Sequence, residues 1–291
     1  MNKVNFGRVL TAMVTPFDEK GAIDFHKTEL LVEHLINNGS DGLVVAGTTG
    51  ESPTLTKDEK LALFDTVVKT VNGRVPVIAG TGTNNTQASI ELTQEAALLG
   101  INGVMAVAPY YNKPSQQGMI EHFKAIANAT TLPVMLYNIP GRSVVNMSVD
   151  TIVELAKVKN IVCVKEASGD LEQMATIIDK TDTDFTLYSG DDSLTLPSMA
   201  IGGNGVISVA SHIIGNEMQQ IVQLFQAGSV NEAAKLHRKH LPLMKALFLT
   251  PNPTSVKMAL QIKGINVGSV RLPLVPLTNA EKEILYQVMN S

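Results

Sequence analysis

The sequence of 291 residues has a single cysteine, Cys163, which lies in an apolar segment and cannot form an intrachain disulfide. No apolar run approaches the ~20 residues that span a bilayer, and the first seven residues lack the apolar core of a signal peptide. Charged residues make up only 17% of the chain, the net charge is -4, and there is no basic stripe of the kind that binds nucleic acid. We therefore expect a cytoplasmic protein whose partners include neither a membrane nor a nucleic acid.

Short apolar segments rich in β-branched residues recur along the chain and alternate with stretches of helical character. Such strict alternation predicts parallel strands joined by right-handed crossovers. Eight units within roughly 210 residues predict an α/β fold, a (β/α)8 TIM barrel, with a doubly wound open sheet as the alternative. The predicted strands are Val9–Val14, Leu43–Ala46, Val75–Ala79, Val104–Val107, Val134–Tyr137, Ile161–Lys165, Phe185–Ser189 and Val206–Val209.

The chain continues as helices beyond the eighth predicted strand, at Met218–Phe225, Asn231–Leu247, Ser255–Lys263 and Asn279–Met289. A barrel needs only one helix after its last strand. The sequence thus predicts two parts, a catalytic barrel over residues 1–224 and a C-terminal helical extension over residues 225–291. We expect the extension to pack on the barrel or to lie between subunits.

Lys165 follows four apolar residues at the end of the sixth predicted strand. Desolvation at such a place disfavours the ammonium and lowers a lysine pKa. A lysine with a lowered pKa can attack a carbonyl and form a Schiff base. The alternative is a lysine that reaches the barrel rim, or one that forms a structural ion pair with Glu166.

Further reactive side chains follow the other predicted strands, where a (β/α)8 barrel carries its chemistry. Because side chains alternate along a strand, Tyr137 and Lys165 are predicted to face the same barrel mouth. The glycines of the turn at residues 47–50 let backbone N–H groups approach a carboxylate. Taken singly, each feature also has a structural interpretation: a tight turn, a core tyrosine, a solvated charge at Arg142, and loop packing for Tyr111.

Motifs for cofactors and metals are weak in this sequence. The glycines at positions 80 and 82 lack the third glycine of a dinucleotide fingerprint. His237 and His240 are three residues apart on a predicted helix, but no set of carboxylates completes a metal site. Asp191 and Asp192 are explained more simply by a hydrogen-bonding loop than by a cation. We therefore expect neither a cofactor nor a metal.

Five motifs, in order along the chain, resemble those of the dihydrodipicolinate synthase (4-hydroxy-tetrahydrodipicolinate synthase) family, which belongs to the N-acetylneuraminate lyase superfamily of class I aldolases. The resemblance extends from about Gly7 to the C-terminus. Arg142 and the pair Tyr110-Tyr111 resemble residues of the synthases rather than those of N-acetylneuraminate lyase. A lyase that cleaves a 2-keto sugar acid and a non-catalytic binding barrel are the alternatives. The motifs are Gly47-Thr48-Thr49-Gly50-Glu51, Pro109-Tyr110-Tyr111-Asn112, Tyr137-Asn138-Ile139-Pro140-Gly141-Arg142, Lys165-Glu166 and Gly205-Val206-Ile207-Ser208.

The resemblance implies an enzyme of lysine and diaminopimelate biosynthesis. It implies condensation of pyruvate with L-aspartate 4-semialdehyde to 4-hydroxy-tetrahydrodipicolinate, with Lys165 forming the Schiff base. A proton relay of Tyr137, Tyr111 and Thr48 is implied as well, and so is a homotetramer, a dimer of dimers in which Tyr111 acts across a subunit interface. The implied substrate-binding positions are Thr49, Arg142, Ile207, Gly190, Asp191 and Asn252.

The chain departs from one feature of the family, the lysine feedback site of sensitive bacterial members. Two histidines and a glutamate of that site correspond here to Lys57, Lys60 and Ala88. Cationic side chains repel a cationic ligand, and alanine supplies no counter-charge. We therefore expect little feedback by lysine. A weak site remains open at three retained positions, Ser52, Asn84 and Tyr110.

Overall fold

The computed structural model describes residues 4–290, in which eight parallel strands follow one another in sequence order and close into a barrel. The predicted (β/α)8 barrel is therefore confirmed, and the open doubly wound sheet is wrong. The strands are β1 (Val9–Ala12), β2 (Gly42–Val45), β3 (Val77–Gly80), β4 (Gly103–Val107), β5 (Val134–Asn138), β6 (Ile161–Glu166), β7 (Thr186–Ser189) and β8 (Gly205–Ser208).

The strands are short and almost completely buried, which explains why continuous apolar runs predicted them well. The third strand shows how a local feature sets a boundary. It begins at Val77 rather than at the predicted Val75 because Pro76 has no N–H to contribute to a ladder. The carbonyl of Pro76 still accepts a hydrogen bond from Leu43 N at 2.9 Å.

Helices separate the strands and continue after β8. A capping box begins the helix at residues 57–71, since Thr56 Oγ1 accepts from Glu59 N while Glu59 Oε2 accepts from Thr56 N. None of the helices within residues 4–290 has the length and apolar character to cross a membrane. They are α1 (Phe25–Asn37), α2 (Lys57–Val71), α3 (Thr86–Ala97), α4 (Gln116–Asn128), α5 (Pro140–Ser143), α6 (Val149–Ala156), α7 (Leu171–Lys180), α8 (Thr195–Ala200), α9 (Ser211–Gln226), α10 (Val230–Ala246), α11 (Thr254–Ile262) and α12 (Asn279–Met289).

Contacts along the chain group its residues into two compact units. One unit combines Ile78–Ile207 with the segment that ends at Phe6, and the other combines Gly7–Val77 with the segment that starts at Ser208. The first unit includes β4 to β7, and the second includes β1, β2 and the C-terminal helices α9 to α12. The division into a barrel over 1–224 and an extension over 225–291 stays a prediction.

Candidate active site

Lys165 lies at the C-terminal end of β6, and only 5% of its surface is exposed. Parallel pairing places it opposite Tyr137 on β5 and opposite Tyr188 on β7. Its Nζ atom lies 4.3 Å from the centre of the Tyr137 ring. The two strands thus bring the predicted lysine and tyrosine together in a buried setting.

Gly190 follows β7 and leaves the space that the Lys165 side chain occupies. A Cβ atom at Gly190 would lie 3.1 Å from Lys165 Cε and 2.6 Å from Ala167 Cβ. Gly190 N also donates to the carbonyl of Glu166 at 2.7 Å, which fixes the backbone in this close approach. A larger residue would therefore displace the lysine.

Asp191 and Ile207 complete the predicted residues on this side of the site. Burial raises the pKa of the Asp191 carboxyl, and the positive charge of Lys165 opposes that increase. The carboxyl group is therefore within electrostatic reach of the lysine. Ile207 is fully buried in β8 and can offer only apolar contact.

Glu166 does not form the ion pair with Lys165 that the sequence left open. Successive side chains of β6 point in opposite directions, and the Glu166 carboxylate accepts from Asn138 Nδ2 at 3.0 Å through both oxygens. It also accepts from Ser168 N at 2.9 Å and from Gln173 Nε2 at 3.2 Å. Burial raises the pKa of Glu166, and these hydrogen bonds counteract the rise. Among the described residues, no ion pair joins Glu166 to Lys165.

Asn138 links the two strand ends to the loop that carries Arg142. Its Nδ2 donates to Asn146 Oδ1 at 2.6 Å, and its Oδ1 accepts from Met147 N at 3.0 Å. Arg142 lies in α5 between these anchor points and is exposed. Its guanidinium makes no hydrogen bond or ion pair with residues 4–290, so its fork of donors is available to a ligand.

The turn after β2 carries Thr48 and Thr49 in a strained backbone. Ala46 and Glu51, on either side of it, have φ values of 53° and 56°. A Cβ on Gly50 would lie 3.0 Å from Ala46 Cα, so a side chain at this position would press against the backbone of the turn.

Hydrogen bonds hold this turn in place. Thr49 is buried, and its Oγ1 accepts from Asn252 Nδ2 at 2.9 Å, which brings these two predicted residues into contact. Thr48 is half-buried, and its carbonyl accepts from Glu51 N at 3.1 Å.

Tyr111 differs from the other predicted residues because 88% of it is exposed in the single chain. Its φ of 73° lies in the left-handed region, which favours glycine. The loop is anchored next to it, where Asn112 Nδ2 donates to the carbonyl of Asn84 at 2.8 Å. An exposed aromatic ring on strained backbone, in an anchored loop, is well placed to meet another molecule.

The sequence analysis assigned no role to several residues that hold the site in place through hydrogen bonds and ion pairs. Asn138 could have been found, because the alternation that predicts Tyr137 opposite Lys165 also predicts Asn138 opposite Glu166. Lys257 and Arg271 had no such signal, since their contacts with the turn after β2 join distant parts of the chain.

The chain is similar to proteins of one family over nearly its whole length. A curated relative from Halalkalibacterium halodurans, 4-hydroxy-tetrahydrodipicolinate synthase 1, is 63% identical over 99% of this chain and 97% of its own. The 4-hydroxy-tetrahydrodipicolinate synthase of Bacillus subtilis is 60% identical over 96% of this chain and 97% of its own.

Solved structures agree with the sequence comparison. A dihydrodipicolinate synthase from Bacillus anthracis has a TM-score of 0.98 at 60% identity, covering 99% of both chains. The enzyme from Cyanidioschyzon merolae, solved with lysine bound, has a TM-score of 0.96 at 51% identity, covering 98% of this chain and 97% of that one. Residues 5–291 match the model of the dihydrodipicolinate synthetase family, and the chain belongs to that family.

Proposed function

We propose that this chain is a class I aldolase-type lyase that condenses pyruvate with L-aspartate 4-semialdehyde through a Schiff base on Lys165. The product is 4-hydroxy-tetrahydrodipicolinate, in lysine and diaminopimelate biosynthesis. Relatives that are 58–64% identical carry the name of this synthase. The observation that carries the choice of nucleophile is the buried Lys165 side chain, whose Nζ lies 4.3 Å from the Tyr137 ring centre.

The chemistry begins with the neutral amine of Lys165, which attacks the ketone carbon of pyruvate. Loss of water gives an imine, and loss of a methyl proton then gives an enamine. The enamine carbon attacks the aldehyde of the second substrate, whose oxygen takes up a proton. The amino group of that substrate finally attacks the imine carbon, which closes the ring and expels the lysine amine.

Tyr137 supplies the proton transfers next to the imine. Its ring lies beside the Lys165 amine, which supports its assignment as a general acid–base catalyst. Family resemblance extends the relay to Thr48 and Tyr111. The half-buried Thr48 and the exposed Tyr111 both remain open to a ligand or to a second molecule.

The two substrate carboxylates are assigned to different groups of the chain. Thr48 and Thr49 hold the pyruvate carboxylate through the turn after β2, which Asn252 supports through Thr49. Arg142 holds the carboxylate of the aldehyde substrate, for which its unoccupied guanidinium offers a bidentate fork.

The remaining assigned residues shape the pocket around Lys165. Ile207 gives apolar contact to pyruvate, Gly190 leaves room for Lys165, and Asp191 lies within reach of the lysine charge. No cofactor or metal takes part in the proposed reaction.

The active form that we propose is a homotetramer built as a dimer of dimers, located in the cytoplasm. The support for an interface near the site is Tyr111, whose aromatic ring is 88% exposed in the single chain. Tyrosine is enriched at protein interfaces, because its ring is apolar while its hydroxyl can form a hydrogen bond.

Borohydride reduction in the presence of pyruvate tests the nucleophile directly. The wild-type chain should gain one reduced pyruvate unit, and peptide mapping should place it on Lys165. Lys165→Ala should remain unlabelled, whereas Lys69→Ala, which removes an exposed lysine paired with Asp65, should label as the wild type does.

Trapping of pyruvate and activity assays on the same purified protein separate the alternative functions. A wild-type chain that traps no pyruvate would contradict catalysis by imine formation. A chain that traps pyruvate and cleaves 2-keto sugar acids, yet fails to condense the aldehyde, would be a lyase instead.

A further inference from the structure

Lys257 of α11 is a buried lysine that the proposed mechanism leaves without a task. Its side chain is 3% exposed, and its Nζ lies 2.7 Å from Oε1 of Glu51, whose side chain is 1% exposed. The ammonium also donates to the carbonyl of Ser269 at 2.7 Å and lies 4.1 Å from the centre of the Phe17 ring. The lysine is thus held on several sides in one position.

Its ion-pair partner, Glu51, is the residue that ends the turn carrying Thr48 and Thr49. Glu51 adopts a left-handed backbone with a φ of 56°, and its N–H donates to the carbonyl of Thr48 at 3.1 Å. Its second carboxylate oxygen accepts from Arg271 N at 2.9 Å. The conformation of the turn therefore depends on how the Glu51 side chain is held.

The ion pair of Lys257 and Glu51 is not expected to add much to the stability of the fold. Burial lowers the pKa of Lys257 to about 8, the charge of Glu51 opposes this, and Arg271 adds to the lowering. Arg271 is itself paired with Glu59. A buried ion pair often contributes no more to stability than apolar residues of similar volume, and its best attested use is to specify one arrangement.

We propose that Lys257 is a positioning residue for pyruvate: it fixes Glu51 and thereby aims the backbone N–H groups of the turn at residues 47–50 towards the pyruvate carboxylate. The inference rests on the proposed role of Thr48 and Thr49. Asn252 acts on the same turn through the Thr49 hydroxyl, so two residues of the C-terminal part of the chain hold it.

The test is a comparison of the two Michaelis constants in Lys257→Met. Methionine keeps most of the buried volume and removes the charge. We expect the KM for pyruvate to rise about tenfold or more, because small displacements of a binding group are costly. The KM for aspartate semialdehyde should change less than about twofold, since Arg142 binds that substrate. Lys257 and Lys282 both line a cleft beside α11, and Lys282→Met, which leaves the ion pair of Lys257 with Glu51 intact, should leave both constants unchanged.

Two further variants separate positioning from stability. Lys257→Arg keeps a charged donor and should recover most of the pyruvate affinity. Glu51→Gln retains an acceptor for Arg271 N and removes the charge, so it should reproduce the selective rise in pyruvate KM, including in the event that Lys257→Met does not fold. A lower melting temperature with both KM values unchanged in these variants would overturn the proposal.

The outcome is distinguishable from failure of the proposed function. The wild-type chain must first form the reducible imine with pyruvate. If it does, an unchanged pyruvate KM in Glu51→Gln refutes the positioning role alone. A wild-type chain that traps no pyruvate refutes the reaction, and with it the premise of this inference.

Discussion

Two pairs of residues lie opposite each other at the ends of β5 and β6. Tyr137 and Lys165 form one pair, while Asn138 and Glu166 form the other, one residue further along each strand. Strand alternation sends the pairs to opposite sides. The sequence could predict the first pair from this alternation. It left open whether Glu166 forms an ion pair with Lys165, because only the structure shows that the Glu166 carboxylate accepts hydrogen bonds from neutral donors.

Replacement of Tyr137 by phenylalanine should remove proton transfer without removing the ring. General acid–base catalysis typically contributes ~10²–10⁴-fold. We expect kcat to fall by that order, while the melting temperature stays close to that of the wild type. Steady-state kinetics with both substrates would measure the change.

Tyr188→Phe is the matched control, because Tyr188 is the other tyrosine opposite Lys165 in the strand pairing. Burial raises the pKa of Tyr188, and its hydroxyl interacts with Asn204 and Thr186 rather than with the lysine. This variant should lose stability and keep its turnover. If Tyr137→Phe keeps the turnover of the wild type, as Tyr188→Phe is expected to do, then Tyr137 is only a packing residue.

At the scale of the elements, the sequence predicted strands better than short helices. The bounds of the short helices α5, α6 and α8 could not be predicted, since four to eight residues give too few periods of an amphipathic pattern. The first of these carries Arg142, which we propose as a substrate-binding residue. Its position depends on Asn138, which holds Asn146 and Met147 beyond the helix, and no local pattern encodes that contact.

Arg142→Ala should affect one substrate far more than the other. The exposed guanidinium is proposed to bind the carboxylate of aspartate semialdehyde, and charge-assisted hydrogen bonds are worth about 1.5–3 kcal/mol. We expect the KM for the aldehyde to rise about tenfold to a hundredfold, with little change in the KM for pyruvate. Arg142→Lys should recover only part of the affinity, because lysine lacks the planar fork.

Arg74→Ala removes a guanidinium that is already paired with Glu33 and serves as the control. It should leave both Michaelis constants as they are. A similar increase in both KM values in Arg142→Ala would contradict the proposal that Arg142 binds one substrate and the turn after β2 binds the other.

Helices α2 and α3 carry the positions that argue against feedback by lysine. Lys60 is buried, which lowers its pKa, and Ala88 on α3 is exposed and uncharged. A relative that is 51% identical has been solved with lysine bound. We expect little inhibition of this chain at millimolar lysine, because a repulsion of only ~1.4 kcal/mol weakens binding tenfold.

Dose–response curves at sub-saturating pyruvate measure this inhibition. The double variant Lys60→His/Ala88→Glu removes a cation and adds a carboxylate, and it should gain sensitivity to lysine. Half-maximal inhibition of the wild-type chain well below a millimolar would refute the charge argument.

At the scale of the whole molecule, the barrel was predictable because each strand and helix repeats the same period. The support that the C-terminal part gives to the turn after β2 was not predictable. Asn252, Lys257 and Arg271 reach Thr49 and Glu51 through single hydrogen bonds or ion pairs, which leave no periodic trace in the sequence. Such contacts show that the C-terminal part of the chain does more than cover apolar surface.

The proposed assembly makes a prediction that a single subunit cannot satisfy. If Tyr111 acts in the site of a neighbouring subunit, then two inactive variants can complement each other. Subunits with Tyr111→Phe keep Lys165, and subunits with Lys165→Ala keep Tyr111. After co-refolding, a mixed dimer should contain one site with both wild-type residues, and activity should return to about a quarter of the wild-type level for random pairing.

Mixing Tyr137→Phe with Lys165→Ala is the control, because Tyr137 and Lys165 contact each other within one chain. That mixture should stay inactive, since no pairing of its subunits assembles a complete site. Recovery in the first mixture and none in the second would require Tyr111 to act across an interface. If neither mixture recovers while native mass spectrometry shows mixed dimers, Tyr111 acts within its own subunit or not at all.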